Sequence, residues 1–171
     1  MPSKPTKTNA LRLLDKAKIA YETRTYEVDE NDLSGEHVAA QLGQDPAAVF
    51  KTLVLLGDRT GHLVACIPVA KTIDLKALAR ASGNKSVEMI HVKDLFALTG
   101  YVRGGCSPLG MKKKFPVFFD ASALVLPRIT LSAGQRGLQM IVETRDLLAV
   151  TGASCAKLTE AAAPAPDGGA W

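Results

Sequence analysis

Hydrophobic positions along this chain recur in two periods, and the period changes at glycines, prolines and short polar caps. Leu11 and Leu14 share one face of a stretch opened by Thr8, which predicts a capped helix over residues 9–18. Residues 21–28 alternate as a strand. Ser34 opens and Gly43 closes a second helix, and Asp45-Pro46 supplies a cap followed by proline at the first helical position, enough for one short turn. An apolar run from about residue 51 to the turn Gly57-Asp58-Arg59-Thr60-Gly61 then reads as a strand, with 62–69 pairing back as a hairpin. Further helices are expected from Asp74 to Gly83, over 92–99 and over 144–150, and strands over 115–119, 128–132, 138–142 and 154–158. Strict βαβ alternation is absent, so the pattern favours an α/β fold on a mixed sheet over a doubly wound parallel one.

One position breaks the apolar pattern. Lys51 lies within Ala48-Val49-Phe50-Lys51-Thr52-Leu53-Val54-Leu55-Leu56. Alternation puts it on one face with Val49, Leu53 and Leu55, and puts Thr52 on the other with Phe50 and Val54. A buried ammonium costs several kcal/mol, on the order of any charge-burial penalty, unless it is paired, reaches water or faces a cavity. Two readings follow. The stem can lie along the strand with its head in solvent, or the head can point into a pocket that holds negative charge or a polarised carbonyl.

Bulk properties narrow the setting. With 171 residues, 47% hydrophobic and 22% charged, the chain has the size of one domain, expected over residues 1–158, with a low-complexity, disordered tail at 159–171. No apolar stretch approaches the ~20 residues of a membrane helix, and the basic N-terminus lacks an apolar signal core, so a cytoplasmic location is expected. Cys66, Cys106 and Cys155, with His37, His62 and His91, form no metal spacing and no disulfide framework, so neither metal nor cofactor is expected. A net charge of +4 and a pI near 9.0 tilt the chain mildly towards polyanionic partners such as RNA.

Two glycine-bearing segments are candidate ligand contacts. Gly104-Gly105-Cys106-Ser107-Pro108-Leu109-Gly110 can present backbone N–H groups to an oxygen, yet it is neither a P-loop nor a dinucleotide fingerprint. Lys112, Lys113 and Lys114 follow it directly and could meet phosphates or merely solvate a face. Ser132-Ala133-Gly134-Gln135-Arg136-Gly137 is expected as a turn between strands, at the same sheet end or as a plain hairpin loop. No histidine accompanies either segment to complete a nucleophilic triad. Cys106 has no evident activating base, and free cysteine usually behaves as a small hydrophobe.

Phe50-Lys51-Thr52-Leu53-Val54, the 104–110 turn and Ser132-Ala133-Gly134-Gln135-Arg136-Gly137-Leu138 occur in the order and rough spacing of the YbaK family, which the chain resembles over about residues 8–158. That family comprises bacterial Cys-tRNA(Pro)/Cys-tRNA(Cys) deacylases related to the inserted editing domain of prolyl-tRNA synthetase. The resemblance implies a mixed, barrel-like sheet with flanking helices and a free-standing trans-editing enzyme acting on aminoacyl-tRNA, with prolyl-tRNA synthetase as a possible partner. It makes Lys51 the essential lysine. Tyr26, Thr52, Gly104, Gly105, Cys106, Ser107, Pro108, Leu109, Gly110, Ser132, Ala133, Gly134 and Arg136 would bind substrate, with Lys112, Lys113 and Lys114 on the tRNA path. It also implies that the substrate's own thiolate attacks its ester, which agrees with the missing triad. Cys106 stands where relatives commonly carry Ile or Val, and Ala133 where glycine is common. Water attack on Ala-tRNA(Pro), or a non-catalytic module that holds tRNA or synthetase, are the alternatives.

Overall fold

A computed structural model describes residues 7–160. Its strands form two sheets. β1 (Tyr21–Thr25), β7 (Leu138–Glu143) and β6 (Arg128–Gln135) make an antiparallel sheet in the order β1-β7-β6. The second sheet, ordered β4-β2-β3-β5-β8, is mixed. Its β2 (Phe50–Gly57) runs antiparallel to β3 (Gly61–Pro68) and β4 (Val87–Met89), whereas β5 (Val117–Asp120) joins β3 and β8 (Ser154–Ala156) in parallel. A single parallel bridge, Val49 to Thr130, ties the start of β2 to β6. The mixed α/β architecture is as the sequence implies, with the strands shared between two joined sheets rather than one closed barrel.

The helices follow their capping residues. Thr8, Ser34 and Asp74 accept backbone N–H bonds at the starts of α1 (Asn9–Lys16), α2 (Gly35–Leu42) and α3 (Leu75–Ser82), and such caps stabilise a helix by about 1 kcal/mol each. Gly43, Gly83, Gly100 and Gly152 end α2, α3, α4 (Val92–Thr99) and α5 (Thr144–Thr151) in the left-handed conformation that glycine adopts without a Cβ penalty. Leu14, Leu53, Leu55, Ile67, Phe119, Leu131, Met140 and Leu147 are fully buried and form one continuous core. In β2 only Leu56 is exposed, because both faces of a central strand are covered, and this explains the unbroken apolar run.

Four local differences from the sequence reading have physical causes. β1 is an exposed edge strand and stops at Thr25, short of residue 28. The brief β4 pairs with β2 through only Val87–Met89, too short for its alternation to register. Ala121–Val125 form a 3-10 turn capped by the Asp120 carboxylate. β6 runs through Gln135 with a register shift after Ser132, so Ser132-Ala133-Gly134 belong to a bulged strand and not to a loop. At the other end, Thr159 bridges to Ile73 and the Glu160 N–H donates to the Thr72 carbonyl, so order extends to Glu160. The rest of the expected tail, 161–171, lies outside the described residues.

Candidate active site

The site lies where the two sheets meet. The bridge between Val49 and Thr130 sets the first residues of β2 beside β6, and Ser132 faces Gln139 across the β6–β7 ladder. Tyr26, Leu33, Gly35, Val38, Phe50, Lys51, Thr52, Val69, Gly104, Cys106, Ser132 and Gln139 wall a narrow cleft of about 370 Å³, its open mouth included. Lys51 is only 7% exposed, which excludes a head fully extended into solvent and favours the pocket reading. None of the described residues lining the cleft is acidic. Phe50 packs against Phe119 with ring centroids 6.0 Å apart, which anchors the strand that carries Lys51.

Close backbone approach builds the walls. A Cβ on Gly35 would lie 2.3 Å from Val69 Cγ1, so only glycine lets the start of α2 reach the end of β3. A Cβ on Gly105 would lie 2.9 Å from the Arg136 backbone nitrogen, so Gly105 is where the 104–110 turn meets the β6–β7 turn. Gly104 precedes it at φ +81° on the cleft wall. The side-chain Nε of Arg136 donates to the Arg103 carbonyl at 2.7 Å, which closes the junction.

The structure therefore brings Tyr26, Lys51, Thr52, Gly104, Cys106 and Ser132 together. Gly105, Ser107, Pro108, Leu109, Gly110, Ala133, Gly134 and Arg136 stand behind or beside the lining. The Ser107 hydroxyl is buried and accepts the Leu109 N–H. The Ala133 carbonyl accepts from the Thr8 hydroxyl, and the Gly134 N–H donates to Ser132 Oγ at 3.1 Å. Gly110, at φ +77°, is wedged against the Tyr101 hydroxyl and the α1 backbone. Lys113 and Lys114 line a different depression with Pro108, Leu109, Gly110 and Phe115, and Lys112 stacks over Phe96 at 4.8 Å. The long glycine segment thus divides, with Gly104 and Cys106 on the cleft and Pro108 to Gly110 on the lysine depression. A more open groove beside Leu56, His62, Glu88, His91 and Asp94 is larger, but Lys51 does not line it.

Several walls went unnoticed in the sequence: Leu33, Gly35, Val38, Val69 and Gln139. Gln139 carries the signal that singled out Lys51, a long polar side chain inside an apolar strand (Leu138, Met140, Ile141, Val142), and it is 6% exposed. The thiols are muted. Burial pushes Cys66 up to about 12, and burial, then the neighbouring Cys66, pushes Cys106 up strongly despite a bond from Thr99. Neither is a thiolate near neutral pH. Among the described residues, no three His, Cys, Asp or Glu side chains could hold a metal ion, and no helix is long and apolar enough to cross a membrane.

The model of the aminoacyl-tRNA editing domain matches residues 30–150, a span that includes every wall of the cleft except Tyr26. The chain belongs to this editing-domain family, the YbaK family. It is 47% identical over 153 residues (90% of this chain, 93% of the relative) to an Enterococcus faecalis protein named "Putative Cys-tRNA(Pro)/Cys-tRNA(Cys) deacylase EbsC". The editing-domain fold is shared with a solved structure titled "a putative trans-editing enzyme for prolyl tRNA synthetase", at TM-score 0.77 and 22% identity over 92% of this chain and 98% of that one. A solved structure titled "Epitope backbone grafting by computational design for improved presentation of linear epitopes on scaffold proteins" matches at TM-score 0.81 and 22% identity, over 93% of this chain and 99% of that one.

Proposed function

We propose that this editing domain removes cysteine from mischarged Cys-tRNA(Pro), and from Cys-tRNA(Cys), in the cytoplasm, acting in trans beside prolyl-tRNA synthetase. The observation that carries the reading is a buried lysine on a cleft furnished otherwise with hydroxyls, one amide, backbone and apolar walls. Such a site offers no activated nucleophile among the described residues, since burial raises the pKa of its thiol. It suits a substrate that brings its own. The substrate thiolate attacks the ester carbonyl, the carbon–sulfur bond forms, the bond to the ribose oxygen breaks, and that oxygen takes up the proton the thiol released. The product is a cyclic thiolactone and free tRNA. The Lys51 ammonium would offset the negative charge that develops on the ester oxygen, and Ser132, whose oxygen already accepts the Gly134 N–H, keeps its own proton to donate.

Incubating the purified protein with cysteine- and alanine-charged tRNA(Pro) tests the proposal. Rapid loss of cysteine and slow loss of alanine are expected. Preferential loss of alanine would replace thiol assistance with water attack, and binding without loss of either would make the chain a holding module.

A further inference from the structure

We infer that Arg136 clamps the last phosphodiester of the tRNA's CCA end, so that the ester reaches Lys51 already oriented. The inference rests on the aminoacyl-tRNA reading above and adds a residue role to it. Arg136 is half-buried, and its side chain packs where Gly104 and Leu33 meet on the cleft wall. A Cβ on Gly104 would lie 3.5 Å from Arg136 Nε and 3.6 Å from Leu33 Cδ2. Its Nε–H is spent on the Arg103 carbonyl, which fixes the guanidinium plane. Among the described residues neither terminal NH₂ group has a hydrogen-bond partner, and Arg136 forms no ion pair with any described carboxylate. A guanidinium tethered by one nitrogen, with its fork uncommitted, is a pre-organised receptor for two oxygens of a phosphate. In an aminoacyl-tRNA the ester and the nearest phosphate belong to the same terminal nucleotide, one ribose apart, so a cleft that takes the ester brings that phosphate to its rim. Lys113 and Lys114 line the separate depression beside Pro108, Leu109 and Gly110, and Lys112 lies over Phe96, which leaves them to contact phosphates further along the strand.

The test is direct binding of the uncharged trinucleotide CpCpA, measured against salt with no catalytic step. Arg136→Gln should weaken binding about ten- to a hundredfold, as loss of a charge-assisted contact does, and flatten the salt slope by about 0.7. Arg136→Lys should keep the slope and recover part of the affinity. Adenosine, which lacks the phosphate, should bind the wild type and both variants equally. Should the variants fail to fold, CpCpA with a methylphosphonate at its last linkage must lose the same factor on the wild-type protein. The inference is overturned if the phosphonate and Arg136→Gln change neither affinity nor slope, if adenosine binding falls in step with CpCpA, or if CpCpA fails to bind at millimolar concentration. Deacylation of Cys-tRNA by the wild type is scored separately, so failure there indicts the function and not the clamp.

Discussion

Replacing Lys51 by methionine isolates the charge. Methionine keeps most of the length of the lysine stem in a site only 7% exposed, so the strand retains its apolar filling and the ammonium alone is lost. A unit charge about 4 Å from a developing oxyanion is worth about 4 kcal/mol at an effective dielectric near 20. That agrees with the ~10²–10³ in rate that removing one preorganised contact costs. The assay is single-turnover deacylation of Cys-tRNA(Pro), with thermal unfolding as the control for folding. A loss of about a hundredfold or more in kcat with a folded variant is expected. Lys51→Arg should recover little, because a planar fork needs more room than a narrow cleft offers. A folded Lys51→Met protein within threefold of wild type would refute the assignment of Lys51 to the reacting carbonyl.

Cys106→Ala should retain most activity, since the Cys106 thiol is buried and protonated; an inactive but folded variant, or cysteine found covalently attached to Cys106, would oppose it. In the native protein a thiol reagent should modify Cys155, which is partly exposed, well before Cys66 and Cys106, as timed modification with mass spectrometry will show. Because burial raises the Cys66 thiol from 9.0 to about 12, the unfolded chain releases that proton first, so its contribution to stability is full below about pH 9 and falls as pH rises from there towards 12. Denaturant midpoints across that range should drop less steeply in Cys66→Ala than in wild type. Gly110→Ala should cost about 1–3 kcal/mol, because its Cβ would meet the Tyr101 hydroxyl at 2.7 Å from a left-handed backbone; an unchanged unfolding curve would contradict the wedge. Neutralising Lys112, Lys113 and Lys114 together should weaken tRNA binding and flatten its salt dependence by up to roughly 0.7 per lost contact while leaving single-turnover chemistry unchanged; unchanged affinity and slope would take the lysines off the tRNA path.

Caps, glycine stops and the two hydrophobic periods made most elements legible, since each is decided within a few residues. What escaped depends on contacts distant in the chain. The short strand Val87–Met89 is a strand only because Leu55, Leu56 and Gly57 lie beside it. Ser132 and Gly134 look like loop residues until β7 supplies the partner that makes a bulge. Lys51 stood out because a charge inside an apolar strand needs a reason, and Gln139 emits a weaker form of the same signal. Gly35 and Val69 were invisible for the opposite cause, as neither is unusual locally and only a packing that leaves no room for a Cβ on Gly35 makes them walls. The 104–110 turn read as one binding loop, yet its halves face different depressions because Gly105 is pinned against Arg136 and Gly110 against Tyr101.

Serine differs from cysteine by one atom, which makes it the sharpest probe of substrate-assisted cleavage. The decisive measurement is single-turnover deacylation of Cys-tRNA(Pro) and Ser-tRNA(Pro) under identical conditions, with the released amino-acid product identified by mass spectrometry. The account predicts fast release from the cysteine ester as a thiolactone and release from the serine ester near the uncatalysed rate. Comparable rates for the two, or free cysteine as the first product, would contradict it.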